Sequence, residues 1–174
     1  MIRLEVCKWE SEGLASGRTP SRKARIANGT ILGLGVIDTS TELGLRAEQR
    51  LLSERTIWLS TVAPDNTPTV RPLWFVWDGE RFLVFSKPTA AKLRHIAINP
   101  RVCLHLDPDE WGESVVIVSG EARVAPEHPP VDETPAYVEK YAWGFERLGV
   151  SAREYAEEYS TPIVIAFERL RTYY

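Results

Sequence analysis

The chain has 174 residues, 44% of them hydrophobic and 26% charged, with a net charge of −3 at neutral pH. That length suits one domain with a real core, and the mild acidity argues against a nucleic-acid or anionic-lipid surface. No run approaches the ~18 apolar residues of a membrane span, and the two cysteines, Cys7 and Cys103, form no zinc spacing. A reducing, cytoplasmic setting is expected.

Residues 1–30 carry six basic and three acidic side chains, a local net of +3. They include "SGRTPSRKAR", a composition that favours flexibility. Residues 1–37 are therefore expected to be an extension outside a folded domain spanning 38–174. A second reading places the true start of translation near Val36 or Ile37. The apolar run Ile31 to Ile37 holds two glycines and no small-residue cleavage site, so it reads as neither signal nor anchor. Gly29, Gly33 and Gly35 do not make a dinucleotide fingerprint, because no βαβ unit follows them.

Regular patterning begins at Ser40. "STELGLRAEQRLLSER" spaces its leucines as a short amphipathic helix does. "TIWLSTVA" reads as a strand followed by turn residues, "PDNTP". Residues 69–86 read as two strands joined at Asp78-Gly79, a strong hairpin signal. A helix over 89–99 follows, then strands at 101–108 and 114–125. Thr134 and Pro135 open one helix as N-cap and N1; Ser151 with Glu154 opens another as a capping box. "PIVIAFERLRTYY" is a final strand. Short strands linked by hairpins predict a mainly β fold, an antiparallel barrel closed on itself.

The stretch "VFSKPTAAKLRHIAINP" concentrates chemistry. With Thr89 as N-cap, Lys92 and Arg94 fall near the first turn of the helix and Lys87 lies just upstream. Cations at the positive end of a helix oppose its dipole, so Ser86, Lys87, Thr89, Lys92 and Arg94 predict an anion site, phosphate above all. The plain alternative is a solvated surface helix. In "VRPLWFVWDGE", Arg71, Leu73, Phe75 and Trp77 share one face of a strand, and Val70, Pro72, Trp74 and Val76 the other. Both faces are largely apolar, which predicts cover by the barrel core on one side and by a partner subunit or flat ligand on the other. Pro72 favours an edge or bulge. His105 and Asp107 share a strand face but lack further ligands, so no metal is expected. His95 lies beside the basic cluster, where it would assist the anion, and His128 in an exposed loop. The aromatics Tyr137, Tyr141, Trp143, Phe145 and Tyr155 exceed what one helix face needs and suggest an interface.

The text "RTIWLSTVAPDNTPTVRPLWFVWDGERFLVFSKPTAAKLRHIAINPRVCLHLD", with "VVIVSGEARV", "TPAYVEKY" and "YSTPIVIAF", resembles the pyridoxamine-phosphate-oxidase-like split barrels. It is most similar to the actinobacterial branch that uses the deazaflavin coenzyme F420. The resemblance implies a homodimer of six-stranded antiparallel split β-barrels with peripheral helices, binding cofactor at the subunit interface. It implies an oxidoreductase that passes a hydride from reduced coenzyme F420 to a small electron-poor molecule. An enzyme using FMN on the same fold, or a non-catalytic cofactor carrier, are its alternatives. Carried onto this chain, Ser86, Lys87, Thr89, Lys92 and Arg94 would hold the cofactor phosphate, and Arg71, Pro72, Leu73 and Trp74 would line its ring system. Relatives commonly have a small or polar residue where Arg71 stands. The proton donor is left among Tyr173, Tyr174 and Arg71.

Overall fold

The computed structural model describes residues 36–173 and, before them, the backbone of two short paired strands, β1 (Ile26–Ala27) and β2 (Thr30–Ile31). The rest of the expected extension, up to residue 35, lies outside the described residues, while Ile37, which the sequence placed in that extension, is buried in the main core. Helix α1 (Glu42–Ser53) starts at Thr41, whose hydroxyl accepts from the Gly44 amide at 3.1 Å. Its apolar stripe sets Ala47 and Leu51 in the core, while Leu45 and Leu52 of the predicted pattern are exposed. Strands β3 (Ile57–Val62) and β4 (Pro68–Leu73) form a hairpin across "PDNT", where Asn66 takes φ +65°. Strands β5 (Val76–Trp77) and β6 (Arg81–Ser86) turn at Asp78-Gly79. There Gly79 adopts φ +97° and the Asp78 carboxylate accepts from the amides of Glu80 and Arg81 at 2.8 and 2.7 Å.

Helix α2 (Ala91–Ile98) leads into β7 (Arg101–His105) and β8 (Val115–Val124). A single 3₁₀ turn, Val131–Glu133, precedes helices α3 (Pro135–Leu148) and α4 (Ala152–Glu158), and β9 (Thr161–Tyr173) ends the chain. The capping box of Ser151 and Glu154 is present. Thr134 stands at the N-cap of α3, but its hydroxyl is turned to the Pro130 carbonyl at 2.8 Å rather than to the helix amides.

The main sheet is antiparallel and curled, in the order β4-β3-β7-β8-β9-β6-β5. It has seven strands, where six were expected. The segment read as one strand over 69–77 breaks at Trp74-Phe75, so β4 and β5 end on opposite margins of the sheet. Leu59, Phe82, Leu104, Val118, Ile165 and Leu170 fill the concave side, together with Ala47 and Leu51 of α1 and Ile96 of α2. Curling is helped by a bulge between Ser119 and Gly120, where Glu168 of β9 finds no partner in the register. A side chain at Gly120 would set Cβ 2.4 Å from the Ala166 carbonyl oxygen. Gly120→Ala should therefore cost about 1–3 kcal/mol, read as a lowered melting temperature with the secondary structure otherwise retained.

A second core lies on the opposite face of β6. Tyr137, Tyr141, Phe145 and Tyr155 from α3 and α4 pack there on Leu83 and Phe85. This corrects the interface expectation for these aromatics: the helices bury them within the chain. Strand β4 lies along a sheet margin, and most of its residues are exposed in the single chain. The margin agrees with Pro72, and Pro68 brackets the same strand.

Candidate functional site

A cleft of about 450 Å³ opens between β3, β4 and the β6–α2 junction. The sequence explains its position. β6 delivers Ser86 almost fully buried, and "KPTA" then carries the chain over the sheet end before α2 begins. The helix starts one residue later than predicted. Its N-cap is Ala90, which has no side-chain cap bond, and Thr89 is an exposed residue of the preceding turn.

Of the nine residues proposed from sequence, Arg71, Pro72, Leu73, Lys87, Thr89 and Lys92 line this cleft. Ser86 sits beneath it, its hydroxyl accepting from the Lys92 ammonium at 3.1 Å. Trp74 lines a neighbouring hollow of about 400 Å³ that shares Pro72, Leu73 and Tyr159 with the cleft. Arg94 is exposed and lies outside both, because it falls on the solvent side of α2.

The cations differ in character. Lys87 is paired with Glu158 of α4 and lies 5.3 Å over the Tyr159 ring; the hydrogen bond to Glu158 raises its pKa. Lys92 is half-buried, and desolvation, followed by the charge of Arg71, depresses its pKa. Neither Lys92 nor Arg71 makes an ion pair among the described residues. The Arg71 guanidinium donates to the carbonyl of its own neighbour Val70 at 2.8 Å. Two like charges held in one cleft without a counter-charge raise the energy of the empty site, and an anion relieves it.

Beside the cations stands an aromatic wall. The Trp74 indole lies nearly parallel to Tyr141 (4.6 Å, 5°) and Tyr155 (5.3 Å, 14°), and Tyr159 stacks on Tyr155 (4.2 Å, 7°). Gly144 makes this possible: a Cβ there would meet the Trp74 ring at 2.4 Å. The fully buried Tyr141 phenol fixes the break between β4 and β5, accepting from the Phe75 amide at 2.6 Å. Its oxygen also lies 2.8 Å from the carbonyls of Arg55 and Phe75.

Sequence reasoning placed His95 beside the basic cluster but missed the two threonines that join it on the cleft floor. Thr61, Thr69 and His95 line it, and Thr61 and His95 are buried and joined at 3.0 Å between Oγ1 and Nδ1. The available signal was Thr61 on the inward face of β3, in register with Ile57 and Leu59, where a polar group requires a partner. His105 stacks with Trp58, whose indole N–H donates to Asp107 at 2.7 Å, and among the described residues no His, Cys, Asp or Glu group is clustered to hold a metal. His128 is half-buried against Phe85 rather than exposed. Among the described residues no helix is long and apolar enough to cross a membrane.

The donor set fits a flavin-type cofactor. Two uncompensated cations suit a phosphate, the apolar Leu59, Pro72 and Leu73 suit a ring system, and the volume is that of an ordinary ligand pocket.

Comparison with solved structures finds the same architecture. A Listeria innocua protein described as a candidate pyridoxamine 5'-phosphate oxidase superposes with a TM-score of 0.53 at 20% identity, covering 73% of this chain and 91% of that one. An F420 reductase superposes with a TM-score of 0.51 at 26% identity, covering 70% and 91%. HutZ, the heme storage protein from Vibrio cholerae, gives 0.51 at 17% identity, covering 74% and 91%, a likeness of fold alone. A search among curated proteins returns no match. A sequence profile described as pyridoxamine 5'-phosphate oxidase matches residues 45–174, and the chain belongs to that family.

Proposed function

We propose that this chain is an oxidoreductase that binds coenzyme F420 in the cleft and acts on a small electron-poor molecule. The observation that carries the reading is the pair of uncompensated cations, Arg71 and Lys92, beside the apolar Pro72-Leu73 ridge. Arg71, Lys92 and Thr89 would hold the phosphate, with Lys87 exchanging its Glu158 partner for it. Leu59, Pro72 and Leu73 would bear on the ring. When bound, the cofactor supplies hydride chemistry; the protein orients it and keeps water away. The 26% identity with an F420 reductase favours the deazaflavin. FMN is the second reading, favoured by the family to which residues 45–174 belong.

We also propose a homodimer in the cytoplasm, in which the exposed face of β4 is covered by a second copy. Titration of the full chain with each cofactor, followed by fluorescence, tests the main reading. Coenzyme F420 should bind at least tenfold more tightly than FMN. The reverse order transfers the assignment to FMN, and binding of neither removes the oxidoreductase reading.

A further inference from the structure

His95 is buried, yet it lines the cleft. Its Nδ1 lies 3.0 Å from the Thr61 hydroxyl, which lies 3.0 Å from the Thr69 hydroxyl. The Thr69 hydroxyl in turn donates to the Thr61 carbonyl at 3.4 Å. A hydroxyl has one proton to give. Directing the Thr69 proton to that carbonyl would make Thr69 the acceptor from Thr61 and Thr61 the acceptor from His95, an assignment that places the ring proton on Nδ1. Nε2 makes no hydrogen bond among the described residues, which leaves it for an occupant of the cleft.

We infer that His95 is the proton-transfer residue of this site, exchanging its proton at Nε2, with Thr61 and Thr69 as positioning residues. The inference rests on the hydride-transfer reading above. When bound, the reduced cofactor would supply a hydride to X of an acceptor double bond X=Y, and His95 would supply the proton for Y. The imidazolium Nε2–H bond breaks, and its proton forms the Y–H bond. Neutral imidazole remains with Nδ1–H still donated to Thr61, and water restores the lost proton. The charged groups that line the cleft with the ring are Lys92 on the same helix, Lys87 just before it and Arg71 on β4. Strand β8, packed against α2, is apolar where it is buried, at Val116, Val118 and Ala122.

The test uses the full chain labelled with ¹⁵N at histidine, with His95→Gln to assign the signal among three histidines. Neutral His95 should be protonated at Nδ1. Adding FMN or coenzyme F420, whichever binds, should move the Nε2 resonance and leave His105 and His128 in place. Thr61→Val should abolish the Nδ1–H preference and Thr61→Ser restore it. With bound cofactor and a reducible acceptor, His95→Gln should lower kcat by about 100-fold or more while cofactor Kd changes less than threefold. An Nε2–H tautomer, or a bound cofactor that leaves His95 unmoved, overturns the inference alone. If neither cofactor binds, the hydride-transfer reading falls and takes the inference with it.

Discussion

Replacing Arg71 and Lys92 together by alanine should weaken cofactor binding by about 150-fold or more. Each charge-assisted bond contributes about 1.5–3 kcal/mol, so losing two removes at least about 3 kcal/mol, at 1.4 kcal/mol per tenfold. Calorimetric titration of both proteins measures it, and a loss below threefold would refute the assignment of these cations. Lys87→Ala should do less, because Glu158 already engages that ammonium in the free protein. Stability should move the other way. Among the described residues, the half-buried Lys92 ammonium has only the Ser86 hydroxyl for a partner. An unpaired cation out of water is costly, and an apolar side chain of similar volume relieves that cost. Lys92→Met should raise the melting temperature of the ligand-free protein by ~2–4 °C, equivalent to about 1 kcal/mol at this size, while it loses affinity. A variant that loses both stability and affinity would mean that Lys92 serves the fold.

Tyr141→Phe should destabilise the chain by about 3 kcal/mol. The phenol oxygen accepts from the Phe75 amide and shares its single proton between the carbonyls of Arg55 and Phe75. The phenyl ring keeps its stacking on Trp74, so the effect isolates the hydroxyl. What remains is a buried amide and carbonyls stripped of partners, each costing about 1–3 kcal/mol. Denaturant unfolding should show a lower midpoint with an unchanged slope. The lesion lies where β4 gives way to β5, next to the ridge shared by the two hollows. Cofactor affinity should therefore fall as well. A variant within 1 kcal/mol of the parent would show that water satisfies these groups.

The strands and the Asp78-Gly79 turn were readable because alternation and turn chemistry are local. The break at Trp74-Phe75 was not, since the bonds that hold it come from Tyr141, 66 residues away in sequence. The cations of the 86–94 stretch could be read as a group from their conflict with the helix dipole, but which of them turn inward depends on the exact helix start. A shift from Thr89 to Ala90 leaves Lys92 inside and Arg94 in solvent. His95 was visible beside the cations, but its link to Thr61 and Thr69 was out of reach for a related reason: β3, β4 and α2 each give one member.

Strand β4 bears on how this molecule avoids growing. Pro68, Val70 and Pro72 alternate along it, so their backbone nitrogens point to one side. Since a proline turned toward β3 would cost the ladder a bond, that side is the outer one. Two of the three positions there carry no hydrogen, and the Val70 oxygen is already taken by Arg71. A stray strand that tried to lengthen the sheet would find one donor where it needs three, so fibre-like stacking is discouraged.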